Sequence, residues 1–214
     1  STSRRQRQMC IRDSGMLTKC NYKGVSGTSV AQDFVELPSQ IMEHWAVEPE
    51  VLKLYAKHYE TREVIPDELI TKIQNQGTFN QGFMTTELLA AALLDMELHN
   101  LTDTENLNVV AFEKETMDKL GLIPEIAPRY RATYFSHIIG GYAAGYYSYL
   151  WAEVLDTDAF EAFKEHGVFD KNTADSFRKN ILEKGGTEDP MTLYRGFRGA
   201  DPSLEPLLKN RGLK

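Results

Sequence analysis

The positions of apolar residues along the chain predict a succession of helices. The clearest pattern runs from Phe83 to Leu98, where apolar side chains recur at helical spacing, namely Leu88, Ala91, Ala92 and Met96. Nearly every residue in its LLAAALL run is apolar. We therefore expect this helix to be buried on most of its sides.

A shorter helix is predicted over DFVELPSQIMEHW, from Asp33 to Trp45. Pro38 falls near its beginning, where proline is tolerated, and Glu36 falls in its first turn. Glu43 follows Glu36 by seven residues and shares nearly the same face. Acidic side chains at these places are not what an ordinary core helix needs.

Weaker patterns predict further helices downstream of Trp45. These are 51–59, a helix that starts at Pro66, a stretch from the cap signal at 102–105 through Leu120, 172–186, and a short helix from Asp189-Pro190. Pro and acidic residues at the start and paired glycines at the end are typical helix boundaries. Alternating strand patterns and internal repeats are missing from the sequence. The predicted fold class is all-α.

Composition narrows the possible partners. The chain has 42% hydrophobic and 26% charged residues and a net charge of −7, which argues against nucleic acid because phosphate binding needs a basic footprint. No apolar run approaches the roughly 18 residues that a membrane helix needs. Two cysteines make neither a disulfide framework nor a CxxC metal site, and they suit a reducing compartment.

The first fourteen residues, STSRRQRQMCIRDS, are basic and polar without periodicity. A disordered tail and a nucleic-acid-binding arm are two interpretations. We favour a third, because RRQRQMCIRDS at 4–14 resembles the in-frame translation of a transposase sequencing adapter. Residues 1–14 would then be non-native, and native sequence would begin at Gly15.

The segment around HIIGGY carries the first candidate chemistry. Tyr142, Tyr146 and Tyr149 share one face if the segment is helical, and an aromatic core stripe is the ordinary interpretation of that pattern. Phenylalanine would fill a core without a hydroxyl to satisfy, however. Tyrosine hydroxyls together with His137 are also suitable donors to a developing oxyanion.

Glu36 is the second candidate, although a single glutamate on a helix usually faces solvent. The histidines do not have metal-ligand spacing, and the sequence contains no HExxH motif, no Ser-His-Asp pattern and no phosphate loop. The residues alone therefore indicate a helical domain with one unusual glycine-tyrosine loop.

Two long motifs add a resemblance. SGT-x-V-x-x-DFVELPSQ-x-x-EHW and SH-x-x-GGY-x-AGYY-x-YLW resemble the thimet oligopeptidase (M3) family of zinc metallopeptidases, and the resemblance covers 15–214. Chance is a poor explanation for two such motifs in the right order. GGYAAGYYSYLW and FRGADPSLEPLLKNRGL are most similar to the bacterial peptidyl-dipeptidase (dipeptidyl carboxypeptidase) branch.

The resemblance implies a metal site and a fold. The family holds one zinc ion with HExxH on one helix and a glutamate in the DFVE run, which corresponds to Glu36. The two histidines and the general-base glutamate of HExxH would precede Gly15. We therefore expect 15–214 to be the C-terminal part of a large, mainly helical catalytic domain. Asp33 is expected to hydrogen-bond a ligand histidine.

The second motif implies residues of the substrate cleft. His137, Tyr142, Tyr146 and Tyr149 match cleft-lining, substrate-binding positions, and His137 matches one that contacts substrate. Tyr142 and Tyr149 match residues that stabilise the tetrahedral intermediate. The resemblance also implies that Gly140–Gly145 is a mobile loop, so that a helix would begin only near Tyr146.

The implied activity is hydrolysis of short peptides by zinc-activated water, with release of C-terminal dipeptides. An endo-acting oligopeptidase of the same family and a non-catalytic helical peptide-binding module are the alternatives. We expect the intact protein to be monomeric and cytoplasmic, with the periplasm as a second possibility. The present chain is expected to be inactive, since one carboxylate cannot hold zinc in a catalytic geometry.

Overall fold

The computed structural model describes residues 14–214. The predicted adapter segment, 1–14, lies outside the described residues except for Ser14, and its assignment stays a prediction. The described helices are α1 (Leu37–Trp45), α2 (Pro49–Tyr55), α3 (Asp67–Gly77), α4 (Gln81–His99), α5 (Val109–Lys119), α6 (Ser148–His166), α7 (Lys171–Phe177), α8 (Pro190–Arg198) and α9 (Glu205–Asn210).

Short 3₁₀ and π segments lie before or between these helices. They are Lys23–Val25, Ala132–Tyr134, Ser136–Ile139 and the π-helix Arg178–Leu182. Within 14–214, extended pairing is limited to one isolated bridge between Lys57 and Val64. The predicted all-α fold is confirmed. None of the helices in this described range is long and apolar enough to cross a membrane.

The chain divides into two compact units. Among the described residues, the first unit comprises 14–79 and 151–214, and the second comprises 80–150. The core of the first unit joins α1 to the C-terminal helices through buried apolar side chains, among them Leu37, Ile41, Leu155, Phe160, Phe163 and Tyr194. Leu37 and Ile41 are four residues apart, so α1 presents one apolar face to this core.

The boundary of α1 differs from the prediction. The helix begins at Leu37 rather than Asp33, and the preceding residues form turns. Pro38 explains the difference, because it cannot donate the hydrogen bond that a helix would need from position 38 to the carbonyl of Phe34. Leu37 N instead donates to Phe34 O at 3.2 Å, which closes a tighter turn.

The helix predicted at 51–59 is also shorter than expected, since α2 ends at Tyr55. Ile65 N donates to Ala56 O at 2.9 Å, and His58 N donates to Glu63 O at 2.8 Å, so the chain folds back on itself here. Tyr59 is exposed rather than on a buried helical face.

The second unit confirms the strongest helical pattern but not its predicted burial. Helix α4 buries Ala91 and Leu94, whereas Leu89, Leu93 and Met96 keep 39–43% of their surface exposed. One face of α4 is therefore buried within the second unit, and another face is exposed. The fully apolar sequence could not distinguish these two faces.

Paired glycines end the helical stretch after α7, as predicted. A Cβ at Gly185 would lie 2.3 Å from Val25 O, and a Cβ at Gly186 would lie 2.2 Å from Ser29 O. Both positions need glycine because another backbone segment passes directly over them. Asp189 then caps α8 by accepting hydrogen bonds from Met191 N and Thr192 N, which confirms the predicted start.

Candidate active site

Glu36 is the residue immediately before α1, not a residue of its first turn. Its side chain is only 4% exposed, so it is not the solvated glutamate that its position on a helix first suggested. Ser39 Oγ lies 2.5 Å from Glu36 Oε2 and 2.9 Å from Glu36 O. Because a hydroxyl has one proton, it donates to one of these oxygens at a time.

Asp33 lies in the turn before α1 and is half-buried. It lines a surface hollow of the first unit together with Phe34, Trp151 and Asp189. Its expected role, a hydrogen bond to a ligand histidine, concerns a residue outside 14–214 and stays a prediction.

The described residues do not by themselves form a zinc site. Nowhere in 14–214 do three His, Cys, Asp or Glu side chains come close enough together to hold a metal ion. A catalytic zinc needs three protein ligands. Glu36 is a buried carboxylate that suits one of these positions, and the described part of the chain does not complete a three-ligand group around it.

A buried polar group on α1 and α6 was not found from the sequence. Gln40 Nε2 donates to Asp156 Oδ2 at 2.9 Å, and His44 Nε2 lies 2.6 Å from Asp156 Oδ1. Burial raises the pKa of Asp156 to about 6, although its hydrogen bonds with His44 and Gln40 act in the opposite direction. The i, i+4 spacing of Gln40 and His44 was the available signal in the sequence.

The structure brings His137, Tyr142, Tyr146 and Tyr149 together in the second unit, and we call these four residues the tyrosine cluster. The His137 ring lies 6.1, 5.4 and 6.3 Å from the rings of Tyr142, Tyr146 and Tyr149. Tyr142 and Tyr149 stack at 5.2 Å. All four sequence-predicted residues of this segment therefore share one aromatic group.

A common helical face does not produce this cluster. Helix α6 begins at Ser148, two residues after the approximate start predicted near Tyr146, so Tyr142 and Tyr146 lie in turns before it. The chain reverses instead: Tyr142 N donates to His137 O at 3.2 Å, and Gly145 N donates to Tyr142 O at 2.9 Å. Ala144 adopts a left-handed conformation, with φ of 51°.

Burial differs within the tyrosine cluster. Tyr146 is 3% exposed, whereas His137, Tyr142 and Tyr149 are half-buried. Burial raises the pKa of Tyr146, and the neighbouring Tyr130 adds to that rise, so the Tyr146 hydroxyl stays protonated at neutral pH. The core interpretation thus fits Tyr146, and the other three rings keep some accessible surface.

Two aromatic residues extend the cluster and were missed by the sequence analysis. Tyr130 stacks on Phe135 at 4.8 Å, and Phe135 meets Tyr146 edge-on at 4.9 Å. Phe135 is completely buried. Tyr149 also meets Tyr146 edge-on, at 5.2 Å. The arrangement can present phenol hydroxyls and an imidazole to a polar ligand from a rigid aromatic base.

The all-α fold, the buried Glu36 and the tyrosine cluster agree with the class that the two motifs resemble. Residues 14–213 match peptidase family M3. The chain belongs to this family, which confirms the resemblance seen in the sequence.

The relatives within the family carry two different enzyme names. The chain is 45% identical over 206 residues to the dipeptidyl carboxypeptidase of Escherichia coli (strain K12), a match that covers 93% of this chain and 30% of the relative. It is 42% identical over 202 residues to oligopeptidase A of the same organism, with 93% and 30% covered. The chain therefore spans about a third of the length of these curated relatives.

A plant relative shows the same pattern. The organellar oligopeptidase A of Arabidopsis thaliana is 42% identical over 205 residues, which cover 92% of this chain and 26% of the relative. Similarity to both named kinds of peptidase, at close values of identity, leaves the finer activity to be proposed.

Proposed function

We propose that residues 15–214 are part of the catalytic domain of a zinc peptidase that removes dipeptides from the C-terminal ends of short peptides. The observation that carries this proposal is the tyrosine cluster, in which His137, Tyr142 and Tyr149 remain partly accessible within a chain of the M3 family. The 45% identity to a dipeptidyl carboxypeptidase supports the exopeptidase assignment.

Glu36 is proposed as one zinc ligand. Its burial removes the carboxylate from bulk water, which favours a partner of opposite charge, and Ser39 supplies one hydrogen bond to it. Bound zinc would acidify a water molecule and polarise the substrate carbonyl. Residues 14–214 do not form a complete metal site, and the proposal assigns the remaining ligands to residues outside this range.

The tyrosine cluster is proposed to bind and polarise the substrate. A phenol O–H donates to the oxygen of a peptide carbonyl, and it donates more strongly as that oxygen gains negative charge. Tyr142 and Tyr149 are assigned this role because they stack against each other and stay half-exposed. His137 is assigned to contact substrate.

Tyr146 has a different environment from the other cluster residues. It is almost fully buried against Phe135 and His137, so its contribution to substrate binding acts through the positions of its neighbours. Its assignment as a substrate-binding residue stays a prediction.

An endo-acting oligopeptidase is the second candidate function. It is supported by the 42% identity to oligopeptidase A, only slightly below the identity to the dipeptidyl carboxypeptidase. Short peptides as substrates, a monomeric intact protein and a cytoplasmic location remain proposals that rest on the family alone.

A chimera tests the proposal directly. The 206-residue region of E. coli dipeptidyl carboxypeptidase that matches this chain is replaced by residues 14–213. We expect a folded protein that binds one zinc ion and releases dipeptides from peptide C-termini, measured by metal analysis and mass spectrometry. Glu36→Gln in the chimera should abolish zinc binding, whereas Glu188→Gln, a change at an exposed ion pair, should not.

The chimera also separates the alternatives. Cleavage inside the peptides would identify an endo-acting oligopeptidase, and peptide binding without cleavage would identify a binding module. Tyr149→Phe should lower kcat by about 100-fold or more if its hydroxyl donates to the oxyanion. The 214-residue chain alone should bind no stoichiometric zinc and cleave no peptide. Stoichiometric zinc binding or peptide cleavage by this chain would contradict the proposal.

A further inference from the structure

Asp95 is a buried carboxylate that neither motif contains. It lies on α4, its side chain is 0% exposed, and it is the residue whose charge most needs compensation in the second unit, because burying an ionised carboxylate without partners is strongly unfavourable. Its partners are therefore informative about what it does.

Those partners belong to the segment that carries the tyrosine cluster. Ala144 N donates to Asp95 Oδ1 at 3.0 Å, and Tyr146 N donates to Asp95 Oδ2 at 2.9 Å. His99, one turn further along α4, places Nδ1 2.9 Å from Asp95 Oδ1. Each carboxylate oxygen thus fixes one backbone N–H of the tyrosine segment.

The two N–H groups are in a part of the chain that cannot satisfy them by itself. Residues 142–147 form turns rather than a helix, and Ala144 holds a left-handed φ of 51°, a conformation that is unfavourable for a residue with a Cβ. A carboxylate that accepts from residues 144 and 146 together holds this irregular backbone in one conformation. The position of the Tyr146 ring follows from it.

Glu113 plays a similar part at the other end of the segment. It lies on α5, is 4% exposed, and accepts a hydrogen bond from Ala132 N at 2.7 Å. Its other oxygen lies 3.1 Å from Arg131 Nε. Two buried acids on two different helices therefore bind backbone N–H groups on either side of His137 and Tyr142.

The residues between these two points differ in burial. Phe135 and Ile138 are buried, whereas Ile139 is 81% exposed, and a Cβ placed on Gly140 or Gly141 would meet nothing within 4 Å. The segment is thus anchored at residue 132 and at residues 144 and 146, and it is open at 139–141.

We propose that Asp95 is a positioning residue for the tyrosine cluster, with Glu113 as the second anchor of the same segment. Asp95 sets the backbone at 144–146, and through it the rings of Tyr146 and Tyr149. The effect on peptide turnover rests on the proposed function, whereas the anchoring of the backbone does not.

Hydrogen exchange in the full 214-residue chain tests the anchoring. The amides of Ala144 and Tyr146 should exchange slowly although they lie outside a helix, whereas the exposed Gly141 amide should exchange quickly. Asp95→Asn keeps the size of the side chain but turns a donor toward one of the N–H groups. It should accelerate exchange at residues 144 and 146 about tenfold or more, as expected for loss of a hydrogen bond to a charged acceptor.

Two controls accompany this variant. Asp118→Asn removes an exposed carboxylate in the same unit and should leave these two amides unchanged, and Glu113→Gln should accelerate exchange at Ala132 instead. Fast exchange of both amides in the unchanged protein would overturn the proposal, as would unchanged exchange in folded Asp95→Asn. If Asp95→Asn does not fold, the measurement on the unchanged protein decides.

Kinetics in the active chimera test the positioning role. Asp95→Asn should lower kcat without loss of zinc, and its effect should be less than additive with Tyr149→Phe, because both changes act on the same hydroxyl. Fully additive effects would contradict positioning through Tyr149. A chimera that folds but has no turnover would contradict the proposed function and leave the exchange result intact.

Discussion

Asp156 and Asp95 are both buried aspartates, but Asp156 bonds to the side chains of a helix whereas Asp95 bonds to the backbone of a turn segment. Asp156 is 2% exposed and bonds to side chains of α1: it accepts from Gln40 Nε2, and His44 Nε2 lies 2.6 Å from its other oxygen. Asp95 is 0% exposed and accepts from backbone N–H groups, those of Ala144 and Tyr146.

The difference follows from what each segment can do without help. A helix such as α1 satisfies its interior backbone groups internally, so a neighbouring carboxylate needs only to bind its side chains. The turns at 142–147 leave N–H groups that must find acceptors elsewhere. The comparison indicates that α1, next to Glu36, is held mainly by its apolar face, whereas the tyrosine segment depends on a specific anion.

The largest expected loss of stability comes from removing an α6 side chain that packs against α1. Phe160→Ala removes a buried ring that stacks on His44 at 4.8 Å and meets Trp45 edge-on at 4.6 Å. It should lower the free energy of unfolding of the first unit by about 3–5 kcal/mol. Urea unfolding followed by tryptophan fluorescence measures this, since both tryptophans lie in that unit.

The matched control for this variant is Phe169→Ala, which truncates a ring that is 60% exposed. It should change the free energy of unfolding by no more than about 0.5–1 kcal/mol. A Phe160→Ala cost smaller than that of Asp156→Asn would show that α1 depends on the buried carboxylate after all, and the contrast with Asp95 would fail.

The second prediction concerns the pH dependence of the stability that Asp156 contributes. Its pKa is raised from 3.8 to about 6 by burial, so between these values the folded state binds more protons than the unfolded state. The contribution of Asp156 therefore stabilises the fold at low pH, and it is lost as the pH rises through about 6. The expected loss is on the order of 2–3 kcal/mol.

The measurement is the free energy of unfolding of the first unit from pH 4 to pH 7, in the unchanged protein and in Asp156→Asn. The free energy of unfolding of the unchanged protein should fall relative to that of Asp156→Asn as the pH rises, because asparagine does not titrate. A constant difference would mean that Asp156 keeps the same charge throughout this range.

The smallest expected effect concerns Glu36 itself. Ser39→Ala removes the hydroxyl that donates to Glu36 and should cost about 1 kcal/mol in the free energy of unfolding. The same urea titration measures it. A cost of 3 kcal/mol or more, the scale of an unpaired buried charge, would show that the Glu36 region also depends on one specific hydrogen bond, as proposed for the tyrosine segment.

Several local features followed from the sequence because their causes are local. The predicted helix from Phe83 to Leu98 is observed as Gln81–His99, and the short helix predicted to start at Asp189-Pro190 is observed as Pro190–Arg198. Apolar periodicity and capping side chains act within one or two turns of the chain. Such features do not need knowledge of distant residues.

The errors arose where distant residues or proline changed the outcome. The helix expected from Asp33 begins at Leu37 because Pro38 lacks an N–H, and the exposed strip of α4 was invisible in a uniformly apolar run. Tyr142 was placed correctly among its partners but for the wrong reason, since a reversal of the chain, not a helical face, brings it to His137.

The sequence by itself determined the all-α class, most helices, the M3 resemblance and the candidate residues Glu36, His137 and the three tyrosines. Only the tertiary structure showed the buried acids that hold these segments. Asp95 accepts from backbone donors that lie 49 and 51 residues away along the chain, and Asp156 accepts from Gln40 across 116 residues. Helical hydrogen bonds span four residues and leave a periodic trace in the sequence, whereas contacts of this range depend on how whole helices pack.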